Sequence, residues 1–93
     1  MNQQQFESQL KADGYTTITV VDRPVGYSLG EHQHTFDARA LITRGDFTLT
    51  VDGVTTRYAA GDIFKLPAGT PHHESAGPEG ASYISGRREA AAT

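Results

Sequence analysis

"GEHQHTFDARALITRG", Gly30 to Gly45, carries two histidines two residues apart, His32 and His34. Successive side chains of a β-strand alternate between faces, so this spacing sets both imidazoles on one side. Two imidazoles on one face are half of a metal site. The rest of the chain has to supply the other donors, and composition limits what they are. There is no Cys, which excludes disulfides and thiolate ligands and leaves imidazole and carboxylate.

Ninety-three residues suffice for a single domain, and one of this size covers only about 60–65% of its unfolded surface. Apolar residues make up 37% of the sequence, with no Trp and one Met, so the core is economical and a homodimer interface is expected to cover what it cannot. A net charge of −3, with acids and bases interspersed, offers no basic patch for nucleic acid. "MNQQQFESQLKADG" has no apolar leader core, and no run reaches membrane-spanning length. The expectation is a soluble, cytoplasmic chain with a small-molecule ligand or substrate and neither nucleic acid nor membrane as partner.

Residues 2–13 read as a short helix, with Phe6 and Leu10 one turn apart and Gly14 as its stop. From Tyr15 the period becomes two. "YTTITVVD" (15–22), "ARALITR" (38–44), "DFTLTVDG" (46–53) and "ASYISGR" (81–87) are rich in Thr, Val, Ile and aromatics and read as strands. Turns are expected at Arg44-Gly45-Asp46, Asp52-Gly53, Ala60-Gly61-Asp62, Pro67-Ala68-Gly69 and Gly77-Pro78-Glu79-Gly80. In 46–53, Phe47, Leu49 and Val51 share one face and Thr48, Thr50 and Asp52 the other, followed by a hairpin signal at Asp52-Gly53. Short strands at this spacing imply a closed or sandwiched all-β fold. The divisions are a helical segment over 1–14, a β domain over 15–87 and a frayed tail over 88–93.

A second stretch, "GDIFKLPAGTPHH" (61–73), completes the constellation. Gly61, Pro67, Gly69 and His72 follow G-x5-P-x-G-x2-H, while Gly26, His32, His34 and Gly45 follow G-x5-H-x-H with a closing glycine. Together these resemble the two motifs of the cupin superfamily, over roughly residues 25–87. The resemblance implies an antiparallel jelly-roll (double-stranded β-helix) barrel with the short helix outside it. It also implies that His32, His34 and His72 converge on a divalent metal, which could be Zn, Fe, Ni, Cu or Mn. Two departures stand out. The family's first motif carries a Glu or Gln where this chain has Ala38, and its second ends in Asn where this chain has Ala76.

Candidates for the missing donor follow from parity. Water ranks first. Glu74 shares the parity of His72 and comes next, as direct ligand or as general base. Asp37 needs a bulge to reach the same face and ranks third, and Glu31 alternates away. His73 opposes His72 and points to solvent or an interface. Tyr27, Tyr58 and Tyr83 read as core or rim packing, Asp37 and Arg39 as an exposed ion pair, and no arginine cluster marks an anion site. Two functions follow. One is a metal-dependent enzyme on a small polar molecule, of dioxygenase, isomerase or hydrolase type, with Glu74 as candidate base. The other is a non-catalytic ligand-binding or sensing module. Open coordination positions beneath a substrate-sized cavity favour the first.

Overall fold

A computed structural model describes residues 1–89 of the chain. Helix α1 (Gln3–Ala12) is followed by strands β1 (Thr17–Arg23), β2 (Ser28–His32), β3 (Phe36–Val51), β4 (Val54–Ala59), β5 (Ile63–Leu66) and β6 (His72–Glu89). All pairings are antiparallel within one six-stranded sheet. β6 pairs with β1, β2 and β3, and β3 pairs with β4, β5 and β6. No helix among the described residues is long and apolar enough to cross a membrane.

α1 starts on a reciprocal cap. The Asn2 side chain accepts from the Gln5 backbone, and the Gln5 side chain accepts from the Asn2 backbone. The helix closes at Gly14, whose φ of +84° suits glycine. Phe6 and Leu10 are fully buried against Tyr15, Leu41 and Ile84. Each contributes about 1.5–3 kcal/mol of burial. A Cβ on Gly86 would sit 2.8 Å from both Leu10 methyl carbons, so glycine is what lets the helix lie this close to β6. Alternation sorts the sheet into two faces. Leu41 and Ile84 pack under the helix, while Ala40, Ile42, Phe47, Leu49, Phe64 and Tyr83 form the interior core.

Two expected turns are bulges inside long strands. Segments 38–44 and 46–53 merge into the 16-residue β3, with register shifts on either side of Gly45. Gly77 to Gly80 lies within the 18-residue β6, where the register jumps from Phe47↔Ala76 to Gly45↔Ala81. Glycine permits the bend as it would permit a turn, but here strand pairing continues on both sides. At Asp52-Gly53 the expected hairpin forms, both residues having positive φ (51° and 76°) and Val51 pairing with Val54. β6 also runs past Arg87: Arg88 and Glu89 pair with Asp37 and Phe36, and residues 90–93 of the expected tail lie outside the described residues.

The anticipated Asp37–Arg39 pair does not form. Arg88 takes Asp37 at 3.0 Å and Arg39 takes Asp13 at 2.6 Å, because the sheet register offers each a closer partner on another element. Asp37 also accepts from the Ala68 backbone, and that bond, then Arg88, holds its carboxyl below the ordinary 3.8.

The two bulges touch. Gly45 has φ +70°, and a Cβ there would collide with the carbonyl oxygen of Gly80. Gly45→Ala is expected to destabilise the fold by about 2–5 kcal/mol, from positive-φ strain together with overpacking. An exposed Thr56→Ala is the control, and urea unfolding checks both.

Candidate metal centre

β2 and β6 meet at their ends, where His32 stands directly opposite His72 in the register. Their ring centroids are 4.1 Å apart. His34 lies just beyond β2, in the link to β3, and is not itself on a strand. Its carbonyl accepts the Gly69 N–H at 2.8 Å, and its ring stacks on Phe36 at 4.8 Å. It thereby reaches 5.2 Å from the His32 ring and 5.3 Å from the His72 ring. Glu74, two residues after His72, joins from the same face of β6. The donor atoms of His32, His34, His72 and Glu74 all lie within 4.8 Å of one another.

The tautomers follow from the backbone. His32 Nδ1–H donates to the Gly30 carbonyl at 2.8 Å, and His72 Nδ1–H donates to the Thr70 carbonyl at 2.9 Å. Both rings therefore turn Nε2 toward the centre. A backbone carbonyl on the remote nitrogen is the usual way a ligating histidine is oriented. His72 is 1% exposed, and its Nε2 is buried with no hydrogen-bond partner. A buried unpaired lone pair is costly, and a cation satisfies it.

Glu74 completes the group. Oε1 lies 2.9 Å from His32 Nε2 and 3.4 Å from His72 Nε2. Donors bound at 2.0–2.2 Å to one metal sit roughly 3–3.5 Å apart, so these separations fit a shared ion. Oε2 accepts the Tyr27 hydroxyl at 2.8 Å. Tyr27 is brought in by a turn in which its N–H donates to the Pro24 carbonyl and Gly26 takes φ +84°. Burial, then the bond to Glu74, pushes the Tyr27 phenol up to about 12, so it keeps its proton and remains a donor. His32 Nε2 and Glu74 Oε1 are in hydrogen-bond contact, the pair a divalent ion would bring together as ligands. The residues fit a divalent ion, and the cluster could hold one.

The other candidates fall outside. Asp37 is committed to Ala68 and Arg88, and Glu31 and His73 are exposed. Ala38 is buried and lines the cavity that opens beside the histidines. This cavity measures about 100 Å³, enough for several waters or one small organic molecule, and its floor is Phe47, Leu49, Phe64 and Leu66. Sequence reasoning missed Tyr27 as the partner of Glu74. It also missed Arg23 and Arg87, which line the cavity although no arginine cluster is visible along the chain.

An all-β antiparallel protein with a His/Glu cluster beside a small cavity is one class of fold and site. Residues 19–85 match the family described as "Cupin domain", and the chain belongs to that family. Solved structures agree on the fold. A protein of unknown function from Rhizobium leguminosarum aligns with TM-score 0.75 and 23% identity, over 80% of this chain and 70% of the other. KdgF from Halomonas sp. gives 0.69 and 24%, over 80% and 68%. A conserved protein of unknown function from Streptococcus pyogenes gives 0.67 and 31%, over 80% and 65%. The match thus spans about two thirds of these relatives' length. No match emerges among curated proteins.

The pKa of His34 is held below the ordinary 6.5 by burial first, then by the neighbouring His72 and His32. The folded state therefore binds fewer protons here than the unfolded chain. The stability of the metal-free protein is expected to fall as pH drops through 6.5 toward the lower folded value. NMR titration of the His34 ring should give a midpoint below 6.5, and His34→Gln should remove this share of the pH dependence.

Proposed function

We propose that this chain is a metal-dependent cupin enzyme acting on a small polar molecule, with His32, His34, His72 and Glu74 holding one divalent ion inside a jelly-roll barrel. One observation carries the reading. The Nε2 atoms of His32 and His72 are aimed at a single carboxylate oxygen by backbone carbonyls on their remote nitrogens, and the buried His72 Nε2 has no partner. On this reading Glu74 is the fourth donor, ahead of water, and not a free general base. Both of its oxygens are already engaged.

A divalent metal held there supplies Lewis-acid polarisation of an oxygen ligand or activation of a bound water. The protein does the rest. Tyr27 seats Glu74 by donating to Oε2, and Phe36 fixes the His34 ring. The apolar floor limits water beside the centre. The enzyme reading is favoured over a sensing module by the cavity, which opens directly onto His32, His34 and Glu74.

Metal analysis of untagged protein is expected to give one equivalent per chain. His72→Ala should lose it while circular dichroism stays β-rich. Tyr27→Phe should keep the fold and weaken metal affinity about tenfold, the usual effect of removing a group that orients a ligand. Stoichiometric metal in His72→Ala would remove the centre. Unfolding of that variant would make the metal structural and favour the binding module.

We also propose a homodimer. Val25 and Leu29 are 65% and 44% exposed, an apolar surface that a second copy would cover, whereas Tyr27 between them turns inward. Light scattering at micromolar concentration is expected to give twice the chain mass, and a monomer there would exclude the dimer.

A further inference from the structure

The cavity wall opposite the apolar floor is built by β1 and β6. Val21 pairs with Tyr83 and Arg23 with Ala81, so alternation turns Val21, Arg23, Tyr83, Ser85 and Arg87 toward the same space. Among the residues lining the cavity there are two guanidinium groups and one carboxylate, Glu74. That carboxylate already serves His32 and Tyr27. Elsewhere Arg39, Arg57 and Arg88 pair with Asp13, Asp46 and Asp37, and Arg44 donates to Ser82 and to the Glu79 carbonyl. Arg23 and Arg87 have no carboxylate partner among the described residues.

Each instead lies on an aromatic face, Arg23 at 4.5 Å over Tyr27 and Arg87 at 4.6 Å over Phe36. Stacking of this kind holds the guanidinium plane and leaves in-plane N–H donors for a ligand. Nε of Arg23 is buried and has no hydrogen-bond partner. Both aromatic platforms touch the centre itself, since Tyr27 binds Glu74 and Phe36 stacks on His34. The positive wall and the His/Glu cluster therefore share one space. A bound cation would add to its positive charge, and a space lined by two arginines and one already engaged carboxylate favours an anion.

We propose that the cavity takes a small organic carboxylate, its anionic end on Arg23 and Arg87 and its carbon stem on Phe47, Leu49, Phe64 and Leu66. This rests on the metal-centre reading for what lies at the far end of the ligand, and on the arginines alone for its charge. The planar fork of arginine matches a carboxylate or a phosphate in two parallel bonds. The apolar floor selects the organic acid, because inorganic phosphate would leave those side chains against a charged surface.

Calorimetric titration of zinc-loaded protein with butyrate, its neutral amide and inorganic phosphate tests this. The acid is expected to bind at least tenfold more tightly than either comparison compound. Arg23→Gln and Arg87→Gln should each weaken the acid tenfold or more, with zinc stoichiometry and melting temperature unchanged. Arg87 is exposed, so Arg87→Gln carries the test if Arg23→Gln fails to fold. Equal affinity for acid and amide, tighter binding of phosphate, or undiminished binding by Arg87→Gln would overturn the proposal. If zinc does not bind, the metal-centre reading fails separately. The same titrations on metal-free protein then decide the arginine site, because its charge is present without a metal, and absence of acid binding there overturns it too.

Discussion

Everything in this molecule hangs on the antiparallel pairing of β3 with β6. The two longest strands contact each other along most of their length, and each of the other strands is attached to one of them. Two straight ribbons of that length would make a flat sheet with one exposed apolar face. The bulges at Gly45 and at Gly77 to Gly80 bend both strands at the same level, and Phe47, Phe64 and Tyr83 fill the concave side. The backbone of Gly45 lies against that of Gly80, so the bend is held by backbone contact at two residues without side chains. The ends of β2 and β6 then meet at His32 and His72.

The metal-binding potential of the chain follows from how it handles one buried carboxylate. Glu74 is 8% exposed, and such a group needs partners. It receives a phenol on one oxygen and faces two imidazole nitrogens on the other. The same backbone carbonyls that satisfy Nδ1 of His32 and His72 leave Nε2 with nothing but this carboxylate and whatever cation joins it. Where the family motif carries a carboxylate or amide, this chain has the methyl of Ala38, and the carboxylate beside the three histidines is that of Glu74 on β6.

Much of this was legible in the sequence, for identifiable reasons. Alternation located the apolar face of Phe47, Leu49 and Val51, and the Asp52-Gly53 pair located its hairpin, because both depend on neighbours along the chain. His32, His34 and His72 were legible as one group through the two motifs, even though His34 sits beyond its strand and reaches the others by way of Gly69 and Phe36. Parity with His72 raised Glu74 only as second to water, because its contact with His32 depends on the pairing of β2 with β6. Gly45 and Gly80 were misread as turns, since a glycine at positive φ serves a bulge as readily as a reversal and only the partner strand distinguishes them. Tyr27, Arg23 and Arg87 were out of reach for a related reason. The places of Arg23 and Arg87 at the cavity and of Tyr27 at Glu74 depend on the register of β1 and β2 against β6, between residues some forty to seventy positions apart.

The place of β6 in the sheet also governs how the chain acquires its structure. Among the described residues β1 and β2 pair with β6 alone, so they are made early and paired late. The hairpin of β3 with β4 can close early, but the strands that carry Arg23 and His32 wait for β6. Non-local pairing of this kind makes for slow folding, because a long loop must close before any contact rewards it. During synthesis the open edges of β1 and β2 stay unpaired until β6 has left the ribosome, and His32 meets His72 and Glu74 in that same step.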